Sequence, residues 1–214
     1  MAQAATNAVK PVFYLLAGPN GAGKSTLYKA LVLAGTVPTQ TEFVNADLHE
    51  AAHLQHIADP QARSEQARLW ADARRATLLA AGQSFVSETV FSHVSKLALI
   101  EEAQAQGFLV MLLVVCLDDP QHLLARVAGR ITEGGHAVPA ERILARYPRT
   151  VENLTRAVRL ADVAVLYDAQ DVAPGTHALV AVCKRDWTQE KVAPLPRWAQ
   201  QVLGAPPPGS RLAA

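Results

Sequence analysis

Eight consecutive residues, Gly18-Pro19-Asn20-Gly21-Ala22-Gly23-Lys24-Ser25, carry the spacing G-x-x-x-x-G-K-[ST]. The chemistry behind that spacing is phosphate binding. Glycines let successive backbone N–H groups turn inward around a β-phosphate, and the N-terminus of a following helix adds its dipole. Lys24 is placed to reach the β- and γ-phosphates, and the Ser25 hydroxyl to ligate Mg²⁺. Thr26, one residue on, comes within reach of an α-phosphate. The implied ligand is a nucleoside triphosphate, which leaves kinase, GTPase, motor and helicase open. The base-reading Asn-Lys-x-Asp of GTPases does not occur in the sequence. A chain of 214 residues holds little beyond such a core, which favours a small-molecule kinase. Lys24 is expected to face solvent when no nucleotide is bound.

Phosphoryl transfer also needs a carboxylate to take the acceptor hydroxyl's proton. In open α/β sheets ligands sit beyond the carboxyl ends of strands. Asp47, after Phe43-Val44-Asn45-Ala46, and Glu88, after Phe85-Val86-Ser87, stand at two such ends. Asp47 is the first candidate base, with helix N-capping as an alternative or additional role. Glu88 is a candidate for holding the acceptor or, through water, the metal; a solvated loop carboxylate is the alternative. Asp118 and Asp119 precede Pro120 and read as helix caps outside the site.

Cations must surround the moving phosphate. In a helix starting at Pro139, at about 100° per residue, Arg142, Arg146, Arg149 and Asn153 fall within about 60° of one another. Tyr147, Val151, Leu154 and Val158 form a separate apolar stripe suited to packing on a sheet. The arginine stripe reads either as a phosphate clamp or as a solvated basic face. The preceding stretch, Arg130 to Val138, holds Gly134-Gly135-His136 and suits a mobile lid. His136 reads as a locally bonded lid residue before a proton carrier. His49, His53 and His56 read as a solvated helix face before a metal site.

These groups need a frame. Strands are expected over 12–16, 42–44, 84–87, 108–117, 163–166 and 177–183, and helices over 24–34, 61–81, 94–106 and 120–127. A further helix is expected with Pro139 in its first position. Strands alternating with helices imply an α/β fold with a mainly parallel sheet covered on both faces. One domain over 1–193 is expected, with a lid at about 130–138. A Pro-rich tail, 194–214, comes after it and is expected to fray unless Trp198 docks.

Composition removes several classes. Twenty Lys and Arg against nineteen Asp and Glu give a net charge of +1, with no electrostatic case for nucleic acid or an anionic membrane as main partner. Apolar residues make up 50% of the chain, which argues against disorder. Cys116 and Cys183 lie in apolar runs and read as buried thiols of a reducing compartment. The N-terminal MAQAATNAVKP lacks a cleavage-site pattern, and the longest apolar run, 108–117, is half a membrane span. A cytoplasmic protein is expected.

AGPNGAGKST (17–26), NAD (45–47), SETVFS (87–92), GGHAVP (134–139) and RILARYPRTVENL (142–154), in that order, resemble the zeta toxin family of P-loop kinases. The resemblance covers about residues 12–168. It implies a P-loop NTPase fold like that of adenylate and shikimate kinases, with a lid. It implies transfer from ATP, with Mg²⁺, to the sugar 3′-hydroxyl of UDP-N-acetylglucosamine, and a separate antitoxin as partner. Carried over residue by residue, Lys24 and Ser25 match the loop lysine and the metal hydroxyl, and Asp47 the base. Glu88 and Thr89 match sugar contacts. Arg130 and Arg146 match best the arginines on the transferring phosphate, with Arg126, Arg142 and Arg149 as competitors; Arg149 also serves as a candidate substrate contact. Between Asp47 and Glu88 the chain is largely one Ala/Arg-rich helix, so the acceptor is the family default only. A nucleotide-binding regulatory module, or a kinase of another nucleotide or nucleoside, is the alternative reading.

The glycines, polar residues and lack of apolar periodicity over 130–138 predict a segment that orders only on ligand binding. Hydrogen exchange should show rapid exchange there in the free protein and protection once nucleotide and acceptor are both present. Strong protection without ligand would remove the lid.

Overall fold

The computed structural model describes residues 10–132, 139–170 and 176–204, the side chains of 130–132 excepted. Strand β1 (Val12–Ala17) leads through the phosphate loop into α1 (Lys24–Leu33). Then come β2 (Glu42–Val44), α2 (Ala46–His53), α3 (Pro60–Ala80) and β3 (Phe85–Thr89). A 3-10 turn over Val94–Leu97 opens α4 (Ala98–Ala105), where one continuous helix was expected. Next are β4 (Leu109–Cys116), α5 (Pro120–Thr132), α6 (Ala140–Leu160) and β5 (Val163–Asp168). The order ends with β6 (Ala178–Lys184), β7 (Trp187–Glu190) and α7 (Arg197–Leu203).

The sheet order is β2-β3-β1-β4-β5-β6-β7. The first five strands are parallel, and β6 and β7 are antiparallel. Chain direction diverges around β1, with β2 and β3 on one side and β4 and β5 on the other. Such a switch point is where α/β sheets open a crevice for ligands.

Period-2 alternation sorts the strand residues onto two cores. Phe13, Leu15, Phe85, Val110, Leu112 and Val114 pack with Ala71, Leu78, Ile100, Val151, Leu154 and Trp198. Tyr14, Leu16, Val86, Leu113 and Val115 pack with Leu27, Leu31, Leu123, Val127 and Ile143. Both faces are covered, so β1 and β4 read as unbroken apolar runs. Both cysteines are free and buried, and burial pushes the Cys116 thiol up to about 12.

β7 was not among the expected strands, and several boundaries depart from expectation. Glu88 and Thr89 are the last residues of β3, paired with Leu16 and Ala17, and do not lie in a loop after it. α5 runs to Thr132, five residues beyond 127, so the start of the expected lid is helical; residues 133–138, with His136, lie outside the described residues. Pro139 is the residue before the first turn of α6, in place of the first helical position. The segment from Pro194, expected to fray unless Trp198 docks, carries α7 with Trp198, Ala199 and Val202 buried, so the docked alternative holds over Arg197–Leu203. Residues 205–214 lie outside the described residues.

α7 lacks a capping side chain of its own. Asp118, at the end of β4, supplies one from elsewhere: its carboxylate accepts from the N–H groups of Trp198 (2.7 Å) and Arg197 (3.0 Å). Trp198 Nε1 donates to Asp168 at 2.7 Å. Asp119 caps α5, accepting from the Gln121 N–H at 2.9 Å. Asp118→Ala should destabilise the protein by about 1–2 kcal/mol, the usual worth of an N-cap. Urea unfolding measures it. Asp119→Ala serves as the comparison for a local cap.

Candidate active site

The phosphate loop turns tightly enough to need its glycines. A Cβ on Gly18 would stand 2.0 Å from the Val115 carbonyl oxygen of the neighbouring strand. Gly23 caps α1 with φ at 95°, and a Cβ there would stand 2.8 Å from His177 Nε2. The Gly18 N–H donates to the Thr89 carbonyl at 3.3 Å, which ties the loop's entry to the end of β3.

Lys24 does not face solvent. It is 5% exposed, and its ammonium donates to the carbonyls of Gly18 (2.9 Å) and Pro19 (3.0 Å). Glu88 Oε1 lies 3.5 Å away. An ammonium drawn into a tight loop must satisfy its donors locally, and the loop's own carbonyls are within reach.

Glu88 is the meeting point. Its Oε2 accepts from Ser25 Oγ at 3.0 Å and from Asn45 Nδ2 at 2.9 Å. Asn45 also caps α2, its Oδ1 accepting from the Leu48 N–H at 3.1 Å. The capping role considered for Asp47 therefore belongs to Asn45. Asp47 stands exposed in the first turn of α2. α2 is braced from behind: buried Glu50 accepts from Arg63 Nε (3.1 Å) and Ser64 Oγ (3.0 Å) of α3. His49, expected on a solvated face, stacks on Trp70 at 3.8 Å with the rings 4° apart. Thr89 Oγ1 accepts from the Phe91 N–H at 3.3 Å, and Thr26 is exposed.

α6 is latched to the same strand end. Thr150 Oγ1 donates to the Val90 carbonyl (3.1 Å) and Asn153 Nδ2 to the Phe91 carbonyl (2.9 Å). Phe91 is held buried at φ 61°. Asn153, read as part of the arginine stripe, thus turns that edge of the helix toward the loop after Glu88. Arg146 is half-buried, and its guanidinium pKa is lowered by burial and by repulsion from Arg142 and Arg149. Arg142 and Arg149 are exposed. The three make no ion pair among the described residues. A cluster of cations held together against its own repulsion is suited to an anion.

Arg126 lies on the other flank. It donates to the Ala169 carbonyl just past β5 and adds positive charge beside His177. The side chain of Arg130 lies outside the described residues. Two participants were missed in the sequence: Asn45 and His177. Asn45 was legible in principle, because Asn before Ala-Asp-Leu is a helix-start signal. His177 meets the loop only through the tertiary fold.

The donor set fits Mg²⁺. That ion keeps several waters and takes one or two protein oxygens beside phosphate oxygens. The Ser25 hydroxyl and the Glu88 carboxylate, already in contact, are the oxygens available for it.

A glycine-turned phosphate loop after the central strand of a five-strand parallel array defines a P-loop kinase-like fold. The zeta toxin family profile matches residues 2–173, and the chain belongs to that family. No curated protein sequence matches it. Among solved structures, one from the PezAT chromosomal toxin–antitoxin system of Streptococcus pneumoniae is 16% identical, with a TM-score of 0.60 over 79% of this chain and 70% of that one. The AvrRxo1-ORF1:-ORF2 complex solved with ATP is 18% identical, with a TM-score of 0.67 over 86% of this chain. This chain spans 62% of that relative's length. Identities this low speak to the fold. Among the described residues no helix is long and apolar enough to cross a membrane.

Burial lowers the pKa of His177, with Arg126 adding to the effect and the bond to the Gly23 backbone opposing it. The folded protein therefore favours the neutral ring. Its contribution is fully present above the ordinary value of 6.5 and is lost as pH falls through the lowered value. Acidification should lower the urea midpoint of the wild type more steeply than that of His177→Asn. Equal slopes would assign the loss elsewhere.

Proposed function

We propose that this chain is a phosphotransferase that moves the γ-phosphate of ATP onto a sugar hydroxyl of a nucleotide sugar, with UDP-N-acetylglucosamine as the default of its family. The observation that carries the reading is the shared carboxylate of Glu88. It joins the phosphate-loop Ser25 and Lys24 to Asn45, two residues before Asp47. One group thus links the triphosphate site to the candidate base.

In this reading the loop amides and Gly18-Pro19-Asn20-Gly21-Ala22-Gly23 wrap the phosphates. Lys24 leaves its two carbonyls for the β- and γ-phosphates, an exchange of hydrogen bonds with little net loss. Mg²⁺, held by Ser25 with Glu88 beside it, supplies charge neutralisation on the phosphate oxygens. Asp47 takes the proton of the attacking hydroxyl while Glu88 and Thr89 hold the sugar. Arg146, with Arg130, offsets the charge spread over the transferring group, and Arg149 binds the acceptor. The strand ends and the α6 latch supply orientation, which is most of what phosphoryl transfer requires. A separate antitoxin protein as partner is supported by the toxin–antitoxin origin of the Streptococcus pneumoniae relative.

Incubation of the purified protein with ATP and Mg²⁺ should add one phosphate, read by mass, to UDP-N-acetylglucosamine or to another nucleotide sugar in a bacterial metabolite extract. Absence of any phosphorylated product would leave a nucleotide-binding module. Asp47→Asn keeps size and polarity and removes the charge. Single-turnover transfer should fall by about 10²- to 10⁴-fold, the range for a lost general base. Nucleotide titration should give unchanged ATP affinity. Intact transfer in the variant would pass the role to another carboxylate.

A further inference from the structure

A triphosphate laid in the phosphate loop has a direction. Its γ-end belongs on the β3 side of β1, because Lys24 and Ser25 both meet Glu88 there, and Asn45 ties that carboxylate to the candidate base. The sheet order puts β4, β5 and β6 on the other side of β1. A nucleoside attached to the far end of the triphosphate reaches out over those strands, and a group that reads the base has to stand there.

A side chain on that flank touches the loop. β6 runs antiparallel to β5, with Ala178 opposite Asp168. The residue leading into β6, His177, therefore stands at the same edge as the carboxyl ends of the parallel strands. A Cβ on Gly23 would lie 2.8 Å from its Nε2, 3.6 Å from Cε1 and 4.0 Å from Cδ2, so the ring points Nε2 at the loop. Gly23 is glycine for two reasons, its φ of 95° and the room this ring needs. The ring is half-buried and bonds to the Gly23 backbone, and that bond favours its protonated form. A bond of that sign is one in which the ring donates. The proton of the neutral ring is thus on Nε2, and the Gly23 carbonyl accepts it. Nδ1 is left as an acceptor, with no donor to it among the described residues.

The polar neighbours on this flank are engaged elsewhere. Arg126 is turned to the Ala169 carbonyl, and its charge keeps the His177 ring neutral. Gln170 accepts from the Asp119 N–H at 3.2 Å and meets His122 Nδ1 at 2.6 Å. We propose that His177 is the base-reading residue of the nucleotide site, its Nδ1 accepting from the 6-amino group of an adenine whose triphosphate lies in the phosphate loop. Adenine carries a donor at that position and guanine an acceptor. The atom that holds one base therefore repels the other. The inference rests on the kinase reading above and deepens it, because it assigns the choice of triphosphate to a residue outside the phosphate loop.

Equilibrium titration of ATP, GTP and inorganic tripolyphosphate, each with Mg²⁺, into wild type, His177→Ala and His177→Asn tests it. The wild type should bind ATP roughly tenfold more tightly than GTP, the worth of one hydrogen bond. It should favour ATP by a similar factor over purine riboside triphosphate, which lacks the 6-amino group; this arm needs no variant. His177→Ala should lose roughly tenfold in ATP affinity, and its ATP:GTP ratio should fall to about one. Tripolyphosphate has no base and should bind His177→Ala as it binds the wild type, which also shows that the loop is folded. His177→Asn, whose side-chain oxygen takes the place of Nδ1, should recover most of the preference. The proposal is overturned if tripolyphosphate weakens as much as ATP, because His177 would then act through Gly23 and not on the base. It is also overturned if the ATP:GTP ratio is the same in all three proteins, or if the wild type binds purine riboside triphosphate like ATP. The two readings fail separately. A His177-dependent preference for ATP without phosphate transfer to any acceptor would remove the kinase and keep the base reader. Transfer that uses GTP as readily as ATP would keep the kinase and remove the base reader.

Discussion

A single carboxylate oxygen, Glu88 Oε2, accepts from Ser25 and Asn45, and its partner oxygen faces Lys24. Three chain segments converge there: the start of α1, the end of β2 and the end of β3. Each arrives from a different strand of a parallel sheet, whose pairing brings distant sequence to one edge. Without Glu88, Lys24 would be a buried cation with no carboxylate partner among the described residues, and Asn45 would lose the acceptor of its side-chain amide. Removing one member of a buried charged pair costs far more than the pair is worth. The same carboxylate ties Asn45, two residues before Asp47, to the phosphate loop.

α6 serves two masters. Val151, Leu154 and Ala157 are buried in the core, while one turn away its arginines repel one another. The helix is held to that position by packing and by the bonds from Thr150 and Asn153. Repulsion that an isolated helix would relieve by spreading its side chains is instead retained by the fold. An anion arriving there relieves that repulsion. Phe91 is held against its own preference in the same way. Its left-handed backbone is unfavourable for an aromatic residue, and it is sustained by a buried ring and a buried amide bond.

Much of this was legible in the residues because the relevant signals are local. The phosphate loop is contiguous, the two long helices are strongly periodic, and β4 is an unbroken apolar run. Asp47 and Glu88 stand out because they are carboxylates at the carboxyl ends of apolar strands, where ligands of α/β sheets bind. What the residues hid was non-local. Lys24 looked solvent-facing because its partners, two loop carbonyls and a glutamate 64 residues on, meet only when the sheet forms. α7 looked like a fraying tail because its cap is Asp118, 80 residues away from Trp198. Seven residues ringed by prolines carry too short a period to announce a helix.

The docking of α7 has a consequence for how the protein is made. Trp198 is 2% exposed and fills the face of the sheet that β1, β3 and β4 share. Its bonds are to Asp118 and Asp168, both at carboxyl ends of central strands. A nascent chain that has already delivered its phosphate loop, its candidate base and its arginines to the outside of the ribosome still lacks this last piece of core. Until residue 198 is added, that core lacks its largest side chain. The face that Trp198 covers is therefore completed only after the phosphate loop, the candidate base and the arginines have all been made.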